Sequence, residues 1–523
     1  MAKTLGVAAS GSKEVSNTAV EILEAGGNAF DAALAALCTA AIAEPLLVSL
    51  GGGGFLLALP DGGKPLVYDF FCQTPKQLRP AKELDFYPIS ADFGTAVQEF
   101  HIGMASIAVP GIVAGLFEAH ADLGRMPIRE IMTPAIELAR KGLKIDAFHS
   151  YIMRILRPII TATPDSFKLY ESPSMPGHIA REGERLRNLQ AAEAFELLAE
   201  EGADLFYQGE WAKQLARDCA EQGGLLSLQD LSSYRVERRE PVVFRYRGAR
   251  CATNPPPSPG GCLVAFALAL MTDWPSGESS WGNDKHLLNL LRGMRAASLA
   301  RHEFKLEAGL DRQKMEQLLG KKTIQQWQKS LKLNSLFSRG TTHISVADAQ
   351  GNIASLTASN GEGCSYVLPG TGMMMNNMLG EEDLNFAGFH QWKENSRLAS
   401  MMSPTVTELA DGTRYALGSG GSNRIRSAIT QVLVNILDFG MSLEDAVTAS
   451  RIHLEGDMLS IEPGYSDQAM QIFRSSVPRT HLWPERNLFF GGVHAVSVSP
   501  SGEFHGAGDL RRGGEIAFAT ERE

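Results

Sequence analysis

The stretch Ser338-Arg339-Gly340-Thr341-Thr342-His343-Ile344-Ser345-Val346 marks the point at which the character of the chain changes. Before it, residues 309–340 are charged and poorly periodic, which is typical of an exposed linker. After it, residues 342–347 and 353–357 alternate on either side of a turn at 348–352, which predicts a β-hairpin. Thr341 is therefore expected at the entry to a strand, directly after a glycine in a loop.

The residue types at this junction suit self-cleavage. Gly340 has no side chain, so a strained and exposed peptide bond can form there at little steric cost. The Thr341 hydroxyl can attack the Gly340 carbonyl, and water then releases a free amine on Thr341. Such an amine has a pKa near ~8 and can act as general base for its own hydroxyl. The alternative is an ordinary hairpin entry, with His343 as a structural residue on the same face.

A second element is Leu417-Gly418-Ser419-Gly420-Gly421-Ser422-Asn423-Arg424, which precedes a helical pattern. Consecutive glycines before a helix expose backbone N–H groups that can hold a developing oxyanion. A tight turn that requires glycine is the alternative. A phosphate loop is disfavoured because no Gly-Lys-Ser/Thr and no dinucleotide fingerprint follows. We interpret the glycines at 51–54 as a close-packing turn beneath the site.

The rest of the chain alternates between helical and strand patterns without an internal repeat. Apolar periodicity predicts helices over residues 14–25, 31–44, 111–123, 127–140, 189–201, 211–222, 285–306, 424–439 and 442–451. Further strands are predicted over residues 55–59, 65–70 and 493–498, with one more from residue 503 onward.

Composition narrows the class of protein. The 523 residues are 44% hydrophobic and 21% charged, which is ordinary for a globular protein. A net charge of −10 without a basic block argues against a nucleic-acid partner. The six scattered cysteines form no CxxC motif, which favours a cytoplasmic, disulfide-free protein without a metal. No secretory signal or membrane span is expected, because the most apolar run, residues 32–43, is too short to cross a bilayer.

Short motifs recur in order along nearly the whole chain. They lie at residues 26–33, 44–45, 51–55, 109–111, 255–258, 341–346, 376–377, 402–405, 418–421 and 511–514. The ordered set resembles the γ-glutamyltranspeptidase (glutathione hydrolase) family, a branch of the N-terminal-nucleophile hydrolases. The resemblance implies an α/β (α+β) fold, a four-layer αββα sandwich. Residues 1–340 and 341–523 would be two self-cleaved fragments that stay associated in one large domain, and a homo-oligomer is left open.

The resemblance also implies the reaction and the catalytic residues. The chain would be a self-processing amide hydrolase or acyltransferase, cleaving γ-glutamyl or related small-molecule amides through an acyl-enzyme. Thr341 would be the nucleophile, released by cleavage after Gly340. Gly420 and Gly421 would form the oxyanion hole, with Gly421 and Ser422 as the alternative pair. No cofactor is implied, because hydroxyl, amine and backbone donors are sufficient for this chemistry.

Three further residues match substrate-binding positions of the family. Asn360 resembles an asparagine that contacts the substrate downstream of the nucleophile. Glu381 lies near the acidic residue that holds the substrate's α-amino group. Ser400 matches the first of two adjacent serines that help to bind the α-carboxylate.

The chain departs from the family pattern at the carboxylate-binding positions. Phe71 stands where the family has an arginine that clamps the γ-glutamyl α-carboxylate, and a bidentate contact of that kind is hard to replace. Met401 stands in place of the second serine. Lys76 or Arg79 could substitute for the arginine. Otherwise the pocket is more apolar and favours an amidase or acylase acting on a non-γ-glutamyl substrate. A non-catalytic, uncleaved binding protein is a further alternative, and a nucleotide-binding protein has little support.

Overall fold

Two antiparallel sheets lie face to face at the centre of the computed structural model, which describes residues 3–92, 97–274, 280–306, 309–328, 341–385 and 388–521. The first sheet has seven strands, in spatial order Glu515–Thr520, Thr4–Ser10, Thr342–Asp348, Ile353–Ser359, Gly53–Leu59, Leu66–Phe70 and Glu237–Arg239. The second has six, in spatial order Phe504–Ala507, Gly492–Val498, Arg414–Gly420, Thr405–Glu408, Ala249–Thr253 and Val242–Tyr246.

Helices cover the outer face of each sheet. Those on the side of the first sheet are Lys13–Glu24, Ala29–Ala43, Ile112–Leu123, Ile128–Lys141, Ala147–Ile155, Arg157–Ile160, Pro164–Tyr170, Leu189–Glu201, Asp204–Tyr207, Glu210–Glu221 and Leu228–Ser232. Those on the side of the second are Pro259–Met271, Asp284–Glu303, Arg312–Leu318, Lys321–Trp327, Arg424–Phe439, Leu443–Thr448 and Asp467–Ser476. The predicted αββα sandwich is thus confirmed.

Three short strand pairs and one three-stranded group lie outside the two central sheets in the described part of the chain. They are Tyr87–Asp92 with Val97–Ile102, Leu143–Lys144 with Arg185–Leu186, Val367–Leu368 with Met373–Met374, and the three-stranded group Ile452–Glu455, Met458–Ile461 and Arg479–Leu482. No helix in the described part of the chain is both long and apolar enough to cross a membrane.

The central strands of the first sheet are buried on both faces. Every residue of Gly53–Leu59, Thr342–Asp348 and Ile353–Ser359 is buried, because one face meets the helices and the other meets the second sheet. Strands buried on both faces need apolar or small residues throughout. The alanine-rich helix Ala29–Ala43 lies against this sheet, and its small side chains permit close approach.

The predicted hairpin after Thr341 is confirmed as Thr342–Asp348 paired with Ile353–Ser359. The predicted linker over residues 309–340 is wrong for its first part. Two short helices lie within residues 312–327, because Leu318, Ile324 and Trp327 are buried against the helix Pro259–Met271. The proposed cleavage site at Gly340 lies outside the described residues.

The first sheet contains strands from both sides of residue 341. Thr4–Ser10 lies between Glu515–Thr520 and Thr342–Asp348 and forms hydrogen-bonded ladders with both. On the other side, Ile353–Ser359 pairs with Gly53–Leu59. Residues before and after position 341 therefore share one core.

Candidate active site

Thr341 lies directly before the central strand Thr342–Asp348, where the two sheets meet. Thr341 is only 4% exposed. The strand that follows is held by neighbours on both sides, Thr4–Ser10 and Ile353–Ser359. The backbone that follows Thr341 is therefore fixed by the sheet, which suits a nucleophile that must be held in one orientation.

The glycines of residues 418–421 lie against the start of this strand. Gly420 ends the strand Arg414–Gly420, and a Cβ atom added there would lie 1.9 Å from the Thr341 carbonyl oxygen. Gly421 has a φ of 116°, a conformation that side-chain-bearing residues rarely adopt. Both glycines are therefore required by geometry, which places the proposed oxyanion donors beside Thr341. Ser422, the alternative donor, lines the adjacent cavity.

Arg512 donates a hydrogen bond to the backbone of Thr341. Its Nη1 donates to the Thr341 carbonyl oxygen at 3.2 Å, and its Nη2 donates to the Leu488 carbonyl at 3.3 Å. Burial lowers the pKa of Arg512 to about 10, an effect opposed by Asp509, Glu362 and Glu44. The guanidinium therefore brings a buried positive charge next to the proposed nucleophile.

Glu44 fixes the residue after Thr341. The Thr342 hydroxyl donates a hydrogen bond to Glu44 Oε2, and both side chains are buried. Burial raises the pKa of Glu44 to about 7, although Thr342, His149 and Arg512 favour its charged form. Gly11 leaves room for this carboxyl, since an added Cβ there would lie 2.9 Å from Oε2.

His343 has a structural position in this arrangement. Its Nδ1 is 2.7 Å from Thr357 Oγ1 and its Nε2 is 2.9 Å from Ser345 Oγ. Burial, with His494 nearby, holds the pKa of His343 well below its usual value, so the ring is neutral. Both ring nitrogens face hydroxyl groups of the first sheet, which favours the structural interpretation of this residue.

A cavity adjoins Thr341 and has one apolar and one polar side. The apolar lining consists of Phe71, Met378, Leu384, Met401, Met402 and Ile425. The polar lining consists of Thr341, Ser359, Glu381, Asp383, Ser400 and Ser422. Among the residues that the structure describes, no lysine, arginine or histidine lines this cavity. Two of the three proposed substrate-binding residues, Glu381 and Ser400, thus lie beside the proposed nucleophile.

Asn360 has a different environment from Glu381 and Ser400. It is buried, does not line the cavity, and accepts a hydrogen bond from Ser49 Oγ at 3.0 Å. Its amide nitrogen donates to the carbonyls of Met374 and Met375, each at 3.4 Å. The contacts of Asn360 thus connect loops beneath the cavity, and its proposed contact with substrate stays a prediction.

Phe71 forms part of the cavity wall, at the position where the family resemblance predicts an arginine. It is 1% exposed, and its ring stacks on Phe55 with the ring centroids 5.3 Å apart. An arginine does lie nearby, since Arg397 donates to the Phe71 carbonyl oxygen. However, the Arg397 guanidinium stacks on Tyr234 with 4.7 Å to the ring centroid and lies 3.6 Å from Asp69. It is held on the far side of Phe71 and does not line the cavity.

The two substitutes considered for that arginine do not line the cavity either. Arg79 Nη1 donates to the carbonyls of Cys219 and Gly224, at 3.3 and 3.0 Å. The backbone N–H of Lys76 donates to Asp230 Oδ1 at 2.7 Å. The cavity wall beside Phe71 is therefore apolar, as the replacement suggested.

Sequence reasoning missed the roles of Glu44, Arg512 and Asp383. The first two fall in quoted motifs, Glu44-Pro45 and the arginine pair at 511–512, but nothing in the sequence shows that they meet at residues 341 and 342. Asp383 belongs to the acidic run 381–383, of which Glu381 and Asp383 line the cavity while Glu382 is exposed. In a loop, the burial of alternate residues produces no periodic pattern in the sequence, so the position of Asp383 could not be predicted.

Comparison with known proteins agrees with this geometry. The model of the family described as Gamma-glutamyltranspeptidase matches residues 15–519. The chain is 30% identical to an acylase ACY 1 proenzyme from Pseudomonas sp. (strain V22), covering 94% of this chain and 90% of that protein. It is 28% identical to a glutathione hydrolase proenzyme from Escherichia coli (strain K12), covering 97% of this chain and 90% of that protein.

A solved structure shares the whole fold. The crystal structure of a cephalosporin acylase from Bacillus halodurans superimposes with a TM-score of 0.85 at 23% identity, covering 100% of this chain and 97% of that one. At this identity the likeness concerns the architecture, and it extends over both sheets and both helical layers.

Proposed function

The chain belongs to the γ-glutamyltranspeptidase family of N-terminal-nucleophile hydrolases, and on that premise we propose that Thr341 is its catalytic nucleophile, released by self-cleavage after Gly340. The observation that carries the proposal is the position of Thr341. It directly precedes the central strand, contacts Gly420 and Arg512, and lines the cavity that holds Glu381 and Ser400.

The reaction follows from these groups. The Thr341 amine, in its neutral form, takes the proton of its own hydroxyl as Oγ attacks the amide carbonyl carbon of the substrate. Backbone N–H groups in the loop of Gly420, Gly421 and Ser422 stabilise the oxyanion. The C–N bond breaks and the amine leaves with the proton. Water, or an acceptor amine, then attacks the Thr341 ester and regenerates the free hydroxyl.

The two fragments would stay together after cleavage. Residues 1–340 and 341–523 contribute strands to both sheets, and the strand Thr4–Ser10 lies between two strands of the second fragment. Separation would expose the faces between them, at a cost of roughly 25 cal/mol for each Å² of apolar surface. We therefore propose one domain built from two chains.

The acyl pocket favours an acylase-type substrate over a γ-glutamyl amide. Phe71 and Met401 form its wall, and the nearby Arg397 is engaged by Asp69, Tyr234 and the Phe71 carbonyl. A substrate α-carboxylate placed there would lose its hydration without gaining a cation, which costs several kcal/mol. The family's usual substrate group is therefore a poor fit.

Substitution of the nucleophile tests the proposal. Thr341→Ala should abolish self-cleavage and amide hydrolysis together, since it removes the attacking oxygen. Thr341→Ser keeps a hydroxyl and should keep measurable activity, which distinguishes loss of the nucleophile from loss of the fold. Hydrolysis of amide substrates by Thr341→Ala at the wild-type rate would refute the assignment.

A further inference from the structure

We propose that Asn423 is a positioning residue for the oxyanion loop, residues 420–422, and that it ties this loop to both proposed fragments. Asn423 directly follows the loop and lies at the N-cap of the helix Arg424–Phe439. Its side chain bonds to Arg301, in the large fragment, and to Glu455, in the small one. This inference rests on the proposed function, because it concerns the groups that would stabilise the oxyanion.

The oxyanion loop has a backbone conformation that its surroundings must hold. Gly421 has a φ of 116° and Ser422 has a φ of 49°, so two consecutive residues lie in the left-handed region. A residue with a side chain is disfavoured there, and it keeps such a conformation only where neighbouring contacts fix it. The direction in which the N–H groups of the loop point therefore depends on the contacts at its ends.

Asn423 supplies such a contact at the end of the loop. An asparagine at an N-cap usually accepts a hydrogen bond from the first turn of its helix, but the side chain of Asn423 does not cap the helix. Instead, its Oδ1 accepts from Arg301 Nη1 at 3.0 Å, and its Nδ2 donates to Glu455 Oε1 at 3.0 Å. Asn423 and Arg301 are both buried, so water competes little for the bond between them.

Glu455 is held at both of its carboxylate oxygens. Oε1 accepts from Asn423, and Oε2 lies 2.9 Å from His453 Nε2. The other ring nitrogen, His453 Nδ1, lies 2.8 Å from Ser427 Oγ, on the first turn of the helix that follows the loop. The strand Ile452–Glu455, which belongs to the three-stranded group outside the central sheets, therefore fixes both Asn423 and the start of that helix.

This arrangement has a consequence for catalysis rather than for substrate binding. The oxyanion is present in the transition state and absent from the bound substrate, so a displaced donor lowers kcat and leaves KM nearly unchanged. Because Arg301 and the loop lie in different fragments, the donors are in place only while the fragments stay associated. The bond between Arg301 and Asn423 thus links the association of the fragments to turnover.

Asn423→Ala tests this role, with Asn435→Ala as the matched control. Asn435 is buried on the same helix and also links the two fragments, since it accepts from Trp281 Nε1 at 3.0 Å and donates to the Ala446 carbonyl at 3.1 Å. The probes are the butyryl and γ-glutamyl amides of one aminocoumarin, of which the faster is used, and rates refer to the cleaved protein. Asn423→Ala should lower kcat about 10-fold and keep KM within about 2-fold.

The control should lose stability without losing turnover. We expect Asn435→Ala to lower Tm as much as Asn423→Ala does, while its kcat stays within about 2-fold of the wild type. Equal losses of kcat in the two variants would make Asn423 a structural residue only and would overturn the proposal.

A reversed pair distinguishes the hydrogen bond from simple packing. Asn423→Asp places a second carboxylate against Glu455 and should lower kcat about 10-fold. Addition of Glu455→Gln restores the bond in the opposite direction, with the glutamine amide as donor, and should return kcat to within about 3-fold of the wild type. A double variant that stays as slow as Asn423→Asp, or that stays uncleaved, would contradict the proposal. A cleaved wild type that hydrolyses neither amide would instead overturn the proposed function, and this inference with it.

Discussion

The two sides of the active site differ in how closely they follow the family. On the nucleophile side, Thr341, Gly420 and Arg512 are held by contacts that leave little freedom to any of them. On the acyl-pocket side, Phe71 and Met401 stand where an arginine and a serine were expected. The proposed bond-breaking groups follow the family pattern, whereas two of the proposed carboxylate-binding positions do not. We therefore expect the chemistry and the substrate preference to be separable in this fold.

Gly420→Ala should have the largest effect on the nucleophile side. A Cβ atom at this position would lie 1.9 Å from the Thr341 carbonyl oxygen, so the backbone must shift. Because the same loop carries the proposed oxyanion donors, we expect kcat to fall roughly 100-fold or more. Gly63→Ala, in an exposed turn without a positive φ and with Pro60 Cβ at 3.1 Å as the nearest atom to the added Cβ, is the control for a generic glycine effect. Near-normal rates for Gly420→Ala would show that the loop is not part of the site.

Arg512→Met should have the next largest effect and should also change the pH dependence. The guanidinium charge next to Thr341 disfavours protonation of the amine, so its removal should raise the amine pKa. The acidic limb of kcat/KM should then move to higher pH, with a loss of about 10- to 100-fold near pH 7. Arg512→Lys keeps the charge and should leave the limb near its wild-type position.

Arg451→Met is the matched control for this variant. Arg451 is equally buried and pairs with Asp509 at 2.6 Å, and its contacts do not include Thr341. It should lower stability without moving the pH profile. If the two methionine variants have the same profile, Arg512 is a structural residue only.

Phe71→Arg tests the pocket side directly. An arginine at this wall can pair with a substrate α-carboxylate, so the ratio of γ-glutamyl to butyryl amide hydrolysis should rise about 10-fold. Stability should fall, because the ring that stacks on Phe55 is lost. Phe71→Leu, which loses the same stacking but gains no charge, should leave the ratio unchanged. An unchanged ratio in Phe71→Arg would remove this wall from the recognition of the acyl group.

Glu44→Gln should have the smallest effect on turnover and a visible effect on stability. The folded chain holds the Glu44 proton up to a pKa of about 7, whereas the carboxyl of the unfolded chain releases it near 4.5. Stability therefore falls as pH rises through that interval, and the loss is complete above pH 7. Wild type should lose a few degrees of Tm relative to Glu44→Gln between pH 5 and pH 8. Parallel curves would mean that Glu44 is ionised in the fold.

Local patterns were enough to predict most of the long helices and the hairpin after Thr341, but not most strands of the second sheet. The hairpin after Thr341 has alternating residues and a glycine turn, and the helix Arg424–Phe439 follows a glycine loop. The strand Thr4–Ser10 was missed because most of its residues are small, and its partners lie more than three hundred residues away. The helices within residues 312–327 were missed because a few apolar residues anchor otherwise polar turns.

The site could be predicted only where a motif carries its own chemistry. Thr341 and the glycine loop at 418–421 were proposed from their residue types, and the roles of Gly420, Gly421, Glu381 and Ser400 followed from the family resemblance. Arg512 and Glu44 act through contacts that span 171 and 298 residues of sequence, so only the folded chain brings them to Thr341 and Thr342. The replacement at Phe71 was visible in the sequence. That Arg397 is held behind it by Asp69 and Tyr234 was not.

The mass of the intact protein tests the central claim most directly, when it is measured after purification and after incubation, with Thr341→Ala beside it. The account predicts two fragments from the wild type, the smaller one beginning at Thr341, and a single 56.6 kDa chain from the variant. A wild-type chain that stays at 56.6 kDa while it hydrolyses amides would contradict it, because Thr341 would then have no free amine.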